Sequence, residues 1–267
     1  MSGALQAGLW GLVSGSALLL GAGLGWFTRI SPRTIAAVMA FGAGVLISAL
    51  SFDLMDEAWT HGGLGATAAG FVIGALLFTG ASAAVALHGA RHRKRSDGRH
   101  AKDGGGAAAL AVGALIDGIP ESLVIGVSLL DSNGVSLVAV IAVFMSNIPE
   151  GLASAAGMKA AGKSFAQVAG LWGSIAMVSG IAALTGYVAF ATAAPETIAF
   201  VQALAAGAIL AMIIDTMAPE AFEGTHDFAG LIAVAGFLSA FAPFEAARDF
   251  AGQIAFVGFL SAFPLRN

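Results

Sequence analysis

The 267-residue chain has no cysteine, which excludes disulfides and thiolate metal ligands alike. Charge is nearly as scarce. Asp, Glu, Lys and Arg make up 10% of the residues, against roughly a quarter in water-soluble domains. The net charge of -4 implies no particular partner, and nucleic acid is not expected. No basic segment precedes the first apolar run, so that run reads as a spanning helix and not as a cleaved signal. What fills the space is apolar: 58% of residues are hydrophobic, 37 are glycine, and mean hydropathy is +0.87. Apolar runs of about 20 residues recur, each long enough as a helix to cross a hydrocarbon layer about 30 Å thick. The chain reads as a polytopic membrane protein whose Ala- and Gly-rich helices pack closely.

The runs predict an all-α bundle of eight spans, at about residues 4–27, 34–59, 66–87, 107–130, 135–158, 165–191, 198–218 and 228–241. Residues 1–243 form one transmembrane domain. It is interrupted by a polar loop, His88 to Gly105, with three histidines (His88, His92, His100) and six cations. Arg29 and Arg33 fall in the first loop, those six in the third, and Lys159 and Lys163 in the fifth, so the odd loops are expected inside and the N-terminus outside. Residues 244–267 nearly repeat the eighth span: Asp227-Phe228-Ala229-Gly230 returns as Asp249-Phe250-Ala251-Gly252. They could form a ninth hydrophobic segment.

Two spans carry Ile-Pro-Glu at their centres: Asp117-Gly118-Ile119-Pro120-Glu121-Ser122 and Ser146-Asn147-Ile148-Pro149-Glu150-Gly151. Asp117 lies about 15 Å along its helix, near the bilayer midplane. Asp117 and Glu121 share a helical face, as do Ser146 and Glu150, with Asn147 beside them. A proline within a helix disturbs it and frees a backbone carbonyl, here those of Ile116 and Met145. A carboxylate at this depth costs about 2.5 to 3.5 kcal/mol on insertion scales. No Lys or Arg lies in any predicted span to pair with it. What remains is a proton or a metal. Carboxylate, carbonyl, amide and hydroxyl oxygens suit a hard or borderline divalent cation, so Asp117, Glu121, Ser146, Asn147 and Glu150 are the candidate metal ligands. Asp53 and Asp215, in the second and seventh spans, are candidate pathway residues.

Two functions fit this pattern. One is a secondary transporter of divalent metal cations; the other is a proton-coupled transporter of another small solute, with the same carboxylates as relay. An enzyme finds no support, because there is no His-Glu-x-x-His pair, no arginine within a span and no nucleophile beside a base. No cofactor is expected. No nucleotide-binding motif occurs, so gradients must drive transport.

The paired motifs resemble the His-Asn-x-Pro-Glu-Gly signatures of the ZIP (Zrt/Irt-like) divalent metal transporters, in particular the bacterial GufA-like branch. The resemblance extends over roughly residues 5–243 and includes Ile213-Ile214-Asp215-Thr216-Met217-Ala218-Pro219-Glu220, similar to the family's acidic seventh helix. It implies import of Zn²⁺, Fe²⁺ or Mn²⁺ into the cytoplasm by a multi-pass protein of the cell membrane, the inner membrane of a bacterium, and often a homodimer. The departures carry information too. Asp117 and Ser146 stand where the family commonly has histidine. Gly118 and Ala183-Leu184 stand where many bacterial relatives hold a second metal with Asn and Glu-Pro. One metal held by oxygen is therefore expected, with preference moved from Zn²⁺ toward Mn²⁺ or Fe²⁺.

Overall fold

The computed structural model describes residues 2–87, 105–130 and 135–242. The histidine-bearing loop, apart from Gly105, and the near-repeat at 244–267 lie outside them. Among the described residues every regular element is helical: α1 (Gly3–Phe27), α2 (Pro32–Ala49), α3 (Met55–Leu87), α4 (Gly105–Ser128), α5 (Leu137–Ala160), α6 (Phe165–Phe190), α7 (Pro195–Met212), α8 (Ala218–Thr225) and α9 (229–242). Local signals set the starts. Ser31 accepts from the Thr34 amide with Pro32 behind it, Ser136 accepts from the Ala139 amide, and Ser164 with Gln167 forms a capping box.

Two turns of π-helix interrupt this regularity, Leu50–Leu54 between α2 and α3 and Ile213–Met217 between α7 and α8. Both α4 and α5 run helically through Pro120 and Pro149.

Five helical runs are long and apolar enough to cross a membrane: Gly3–Phe27, Pro32–Ala86, Leu137–Ala160, Phe165–Phe190 and Pro195–Ala242. The sequence predicts eight. α4 is not among the five, and the runs of 55 and 48 residues each turn back on themselves. At Gly63, φ is 62° and ψ is -173°, a conformation open to glycine because it lacks a Cβ. Ala58, before this turn, packs on Ala199 and Ala203, and Gly70 and Gly74, after it, pack on Phe200 to Leu204. The chain therefore reverses along α7. At His226 φ is 46°. Ahead of it Met217 lies by Gly42 and Gly224 by Ala36, while behind it Ala233 lies by Gly44 and Phe241 by Phe52, so the chain descends α2 and then climbs it again.

These contacts expose an internal repeat. Pro32-Arg-Thr-Ile-Ala-Ala-Val-Met-Ala-Phe-Gly-Ala-Gly44 matches Pro195-Glu-Thr-Ile-Ala-Phe-Val-Gln-Ala-Leu-Ala-Ala-Gly207 at eight of thirteen positions, and both helices have 18 residues before their π turn. The packing repeats as well. A Cβ on Gly44 would lie 1.8 Å from the Ala233 carbonyl oxygen, and one on Gly207 would lie 1.9 Å from that of Phe71. Reciprocally, Gly236 closes on Phe41 at 2.0 Å and Gly74 on Leu204 at 1.8 Å. α2 pairs with α9 as α7 pairs with α3, and α1 with α5 as α6 with α4. α2 and α7 themselves run antiparallel, with Gly42 near Met217 and Ala58 near Ala199.

Candidate functional site

α4 and α5 touch each other sparingly; each leans on a neighbour. α5 is set against α1, where a Cβ on Gly21 would lie 2.1 Å from the Ile148 carbonyl oxygen and one on Gly151 would lie 2.2 Å from that of Leu18. α4 is set against α6, where a Cβ on Gly126 would meet the Ala183 carbonyl oxygen at 1.9 Å. Their mutual register follows from shared core clusters. Ala114 packs with Ala155 and Met158 at one end, and Ile125 with Val140 and Val143 at the other. The helices are antiparallel, which puts Asp117 level with Glu150 and Glu121 level with Ser146 and Asn147.

Asp117 and Glu121 are each 2% exposed, Ser146 and Asn147 are buried, and Glu150 is half-buried. The Ser146 hydroxyl donates to the Val143 carbonyl at 2.9 Å, which leaves its lone pairs directed elsewhere. Asn147 donates through Nδ2 to the Ser14 carbonyl of α1 at 3.1 Å, keeping Oδ1, the atom a cation would use, out of that bond. The Met145 carbonyl, deprived of its helical donor by Pro149, faces α2: it is 3.5 Å from where a Gly42 Cβ would stand. Among the described residues no Lys or Arg is buried. Equally, no three His, Asp or Glu side chains among them are gathered as a metal cage. Asp117, Glu121 and Glu150 are thus spread over two levels, with Ser146 and Asn147 on the level of Glu121.

The two pathway candidates part company. Asp53 lies in the first π turn, half-buried, and its Oδ2 accepts the Ser136 hydroxyl at 2.5 Å. The Ser136 amide in turn donates to Ser128 Oγ at 3.2 Å. Asp53 is thereby tied to the start of α5 and the end of α4. Asp215 is exposed on the second π turn.

Sequence reasoning passed over Gln202. It is 1% exposed on α7, and neither side-chain amide atom has a hydrogen-bond partner among the described residues. A lone amide within an apolar run was the available signal. Sequence reasoning also passed over both π turns, a geometry frequent at functional sites.

No family model matches the chain. A protein of Arabidopsis thaliana whose name proposes a zinc transporter is 29% identical over 219 residues, covering 80% of this chain and 34% of that protein. The chain thus spans about a third of the length of this curated relative.

Proposed function

We propose that the chain is a ZIP-like multi-pass membrane transporter that passes a divalent transition-metal cation between α4 and α5. The observation that carries this reading is the pairing of levels, Asp117 with Glu150 and Glu121 with Ser146 and Asn147, in an interior without a buried cationic side chain among the described residues. Carboxylate, hydroxyl and amide oxygens at these two levels are the donors that a hard or borderline divalent ion takes. The name of the plant relative supports metal as the cargo. In this reading the reversals at Gly63 and His226 divide the two long runs and α4 crosses as well, giving eight crossings with the N-terminus outside and import toward the cytoplasm.

One metal is bound at a time. Gly118, where many similar bacterial proteins have Asn, offers no ligand, and Ala183, where they have Glu, is fully buried beneath Gly126. Oxygen donors favour Zn²⁺, Fe²⁺ and Mn²⁺ less unequally than imidazole would, which moves preference toward Mn²⁺ or Fe²⁺. Asp53 gathers ions at the outer mouth.

Uptake into proteoliposomes, with Zn²⁺, Mn²⁺, Fe²⁺ and Cd²⁺ in competition, tests the proposal. Glu121→Gln and Glu150→Gln should each lower the initial rate at least about tenfold, the consequence of losing a contact to a charged group. Rates equal to those of the unaltered protein would sink it.

A further inference from the structure

Residues 1–52 and 151–195 contain no Asp or Glu, yet they hold Arg29, Arg33, Lys159 and Lys163. Three of these cations are brought to one corner of the bundle. α1 and α5 lie side by side, with Gly25 closing on Leu152, and α6 starts one tight turn after α5 ends. In that turn Gly162 has a φ of 77° and the Lys163 amide donates to the Met158 carbonyl at 3.1 Å, so Lys159 and Lys163 flank a single compact cap. Arg29 follows two residues after Phe27, the last residue of α1. Arg33 belongs elsewhere: it opens α2, against which α8 with Glu220 and Glu223 is packed, Gly224 closing on Ala36.

Lys159 is held in place. Its Nζ donates to the Trp26 carbonyl and stands 5.3 Å from the centre of the Trp26 ring, a cation–π contact. Phe165 packs on both Trp26 and Phe27, at 5.7 and 4.9 Å between ring centres. The ammonium is thus fixed beside an aromatic floor. That floor is uncovered among the described residues: Phe27 is 73% and Phe165 37% exposed, and Lys159 is exposed as well. An ammonium carries three donors, and the Trp26 carbonyl takes one.

In a bilayer this composition matches one kind of partner. Aromatic rings at the end of a span settle at headgroup level, and cations at that level meet lipid phosphates. A zwitterionic lipid would bring its own ammonium group to three positive charges, with no acid in these segments to receive it. An anionic lipid brings net negative charge instead. We infer that the corner formed by the ends of α1 and α5 and the start of α6 binds the phosphate of an anionic phospholipid through Lys159, Lys163 and Arg29, with the glycerol end of the lipid on Phe27 and Phe165. The inference rests on the membrane reading given above and not on the cargo.

The test uses the full chain in phosphatidylcholine vesicles that contain a minor fraction of brominated phosphatidylglycerol, since bromine quenches a nearby indole. The Trp26 signal is taken by difference from Trp26→Phe. Quenching should correspond to phosphatidylglycerol at least about fivefold enriched over its bulk fraction, the effect of one well-placed basic residue at a charged surface. Brominated phosphatidylcholine at the same fraction should show no enrichment. Lys159→Gln combined with Lys163→Gln should return phosphatidylglycerol to its bulk level, whereas Lys159→Arg should keep it enriched. Equal quenching by the two brominated lipids in the unaltered protein overturns the inference, and that comparison needs no variant to fold. Enrichment that survives the loss of both lysines overturns it too. So does release of the brominated lipid by inorganic phosphate, which would assign the corner to a free anion. A chain that does not float with the vesicles removes this inference together with the membrane reading, while equal quenching in a chain that floats removes this inference alone.

Discussion

In the first π turn the aspartate is the fourth residue, Asp53; in the second it is the third, Asp215. The turns otherwise correspond, with Leu50 and Ile213 buried, Ser51 and Ile214 exposed, and Leu54 and Met217 buried. One residue is roughly 100° around a helix axis, and that step turns Asp215 outward while Asp53 reaches Ser136. The helix starts differ in the same spirit. Arg33 and Glu196 are each the second residue of their helix. An acid there suits the helix dipole and a cation does not. In an antiparallel copy the same position falls on the opposite face, so the two starts carry opposite charges at opposite ends. Backbone and packing are duplicated, whereas the chemistry has been edited one residue at a time.

Substitutions made in pairs can break or sharpen this comparison. The largest effect is expected at the matched helix contacts. Gly44→Ala and Gly207→Ala each drive a Cβ to within 2 Å of a carbonyl oxygen, so each should destabilise by about 3 kcal/mol or more, at the upper end of overpacking costs. Thermal unfolding in detergent should show equal losses, and a loss in only one would mean that the halves are not structural equals. Next come the aspartates. Asp53→Asn should reduce metal uptake about tenfold, as expected for a charged contact, while Asp215→Asn should stay within about twofold; the reverse order would assign the route to the wrong copy. The smallest effect concerns the caps. Ser31 caps α2, but Ala194 gives α7 no side-chain cap. Ser31→Ala should cost about 1 kcal/mol and Ala194→Ser should return a similar amount, read as opposite shifts in the unfolding midpoint.

Much of this was legible in the letters. Low charge and recurrent apolar runs gave the helical class, and the two Ile-Pro-Glu segments drew attention to the buried carboxylates of α4 and their neighbours on α5. The repeat was legible as well, in Pro-x-Thr-Ile-Ala-x-Val, but a motif search weighted toward carboxylates does not look for apolar identities. The π turns were not legible, because a widened turn is set by what packs around it and Leu-Ser-Phe-Asp-Leu has no composition that demands one. The prolines were legible, and a helix held on several sides absorbs the loss of one donor: the Met145 carbonyl finds room beside Gly42.

The close glycine contacts also bear on how such a molecule could move. Backbone pressed on backbone tolerates little slippage, so α5 is bolted to α1 through Gly21 and Gly151, and α4 to α6 through Gly126. The acids of the central site are thereby shared between two rigid blocks, Asp117 and Glu121 on one and Glu150 on the other. A small relative displacement of the blocks would change how far Glu150 stands from Asp117 and Glu121 with no helix unwinding and no bolt undone.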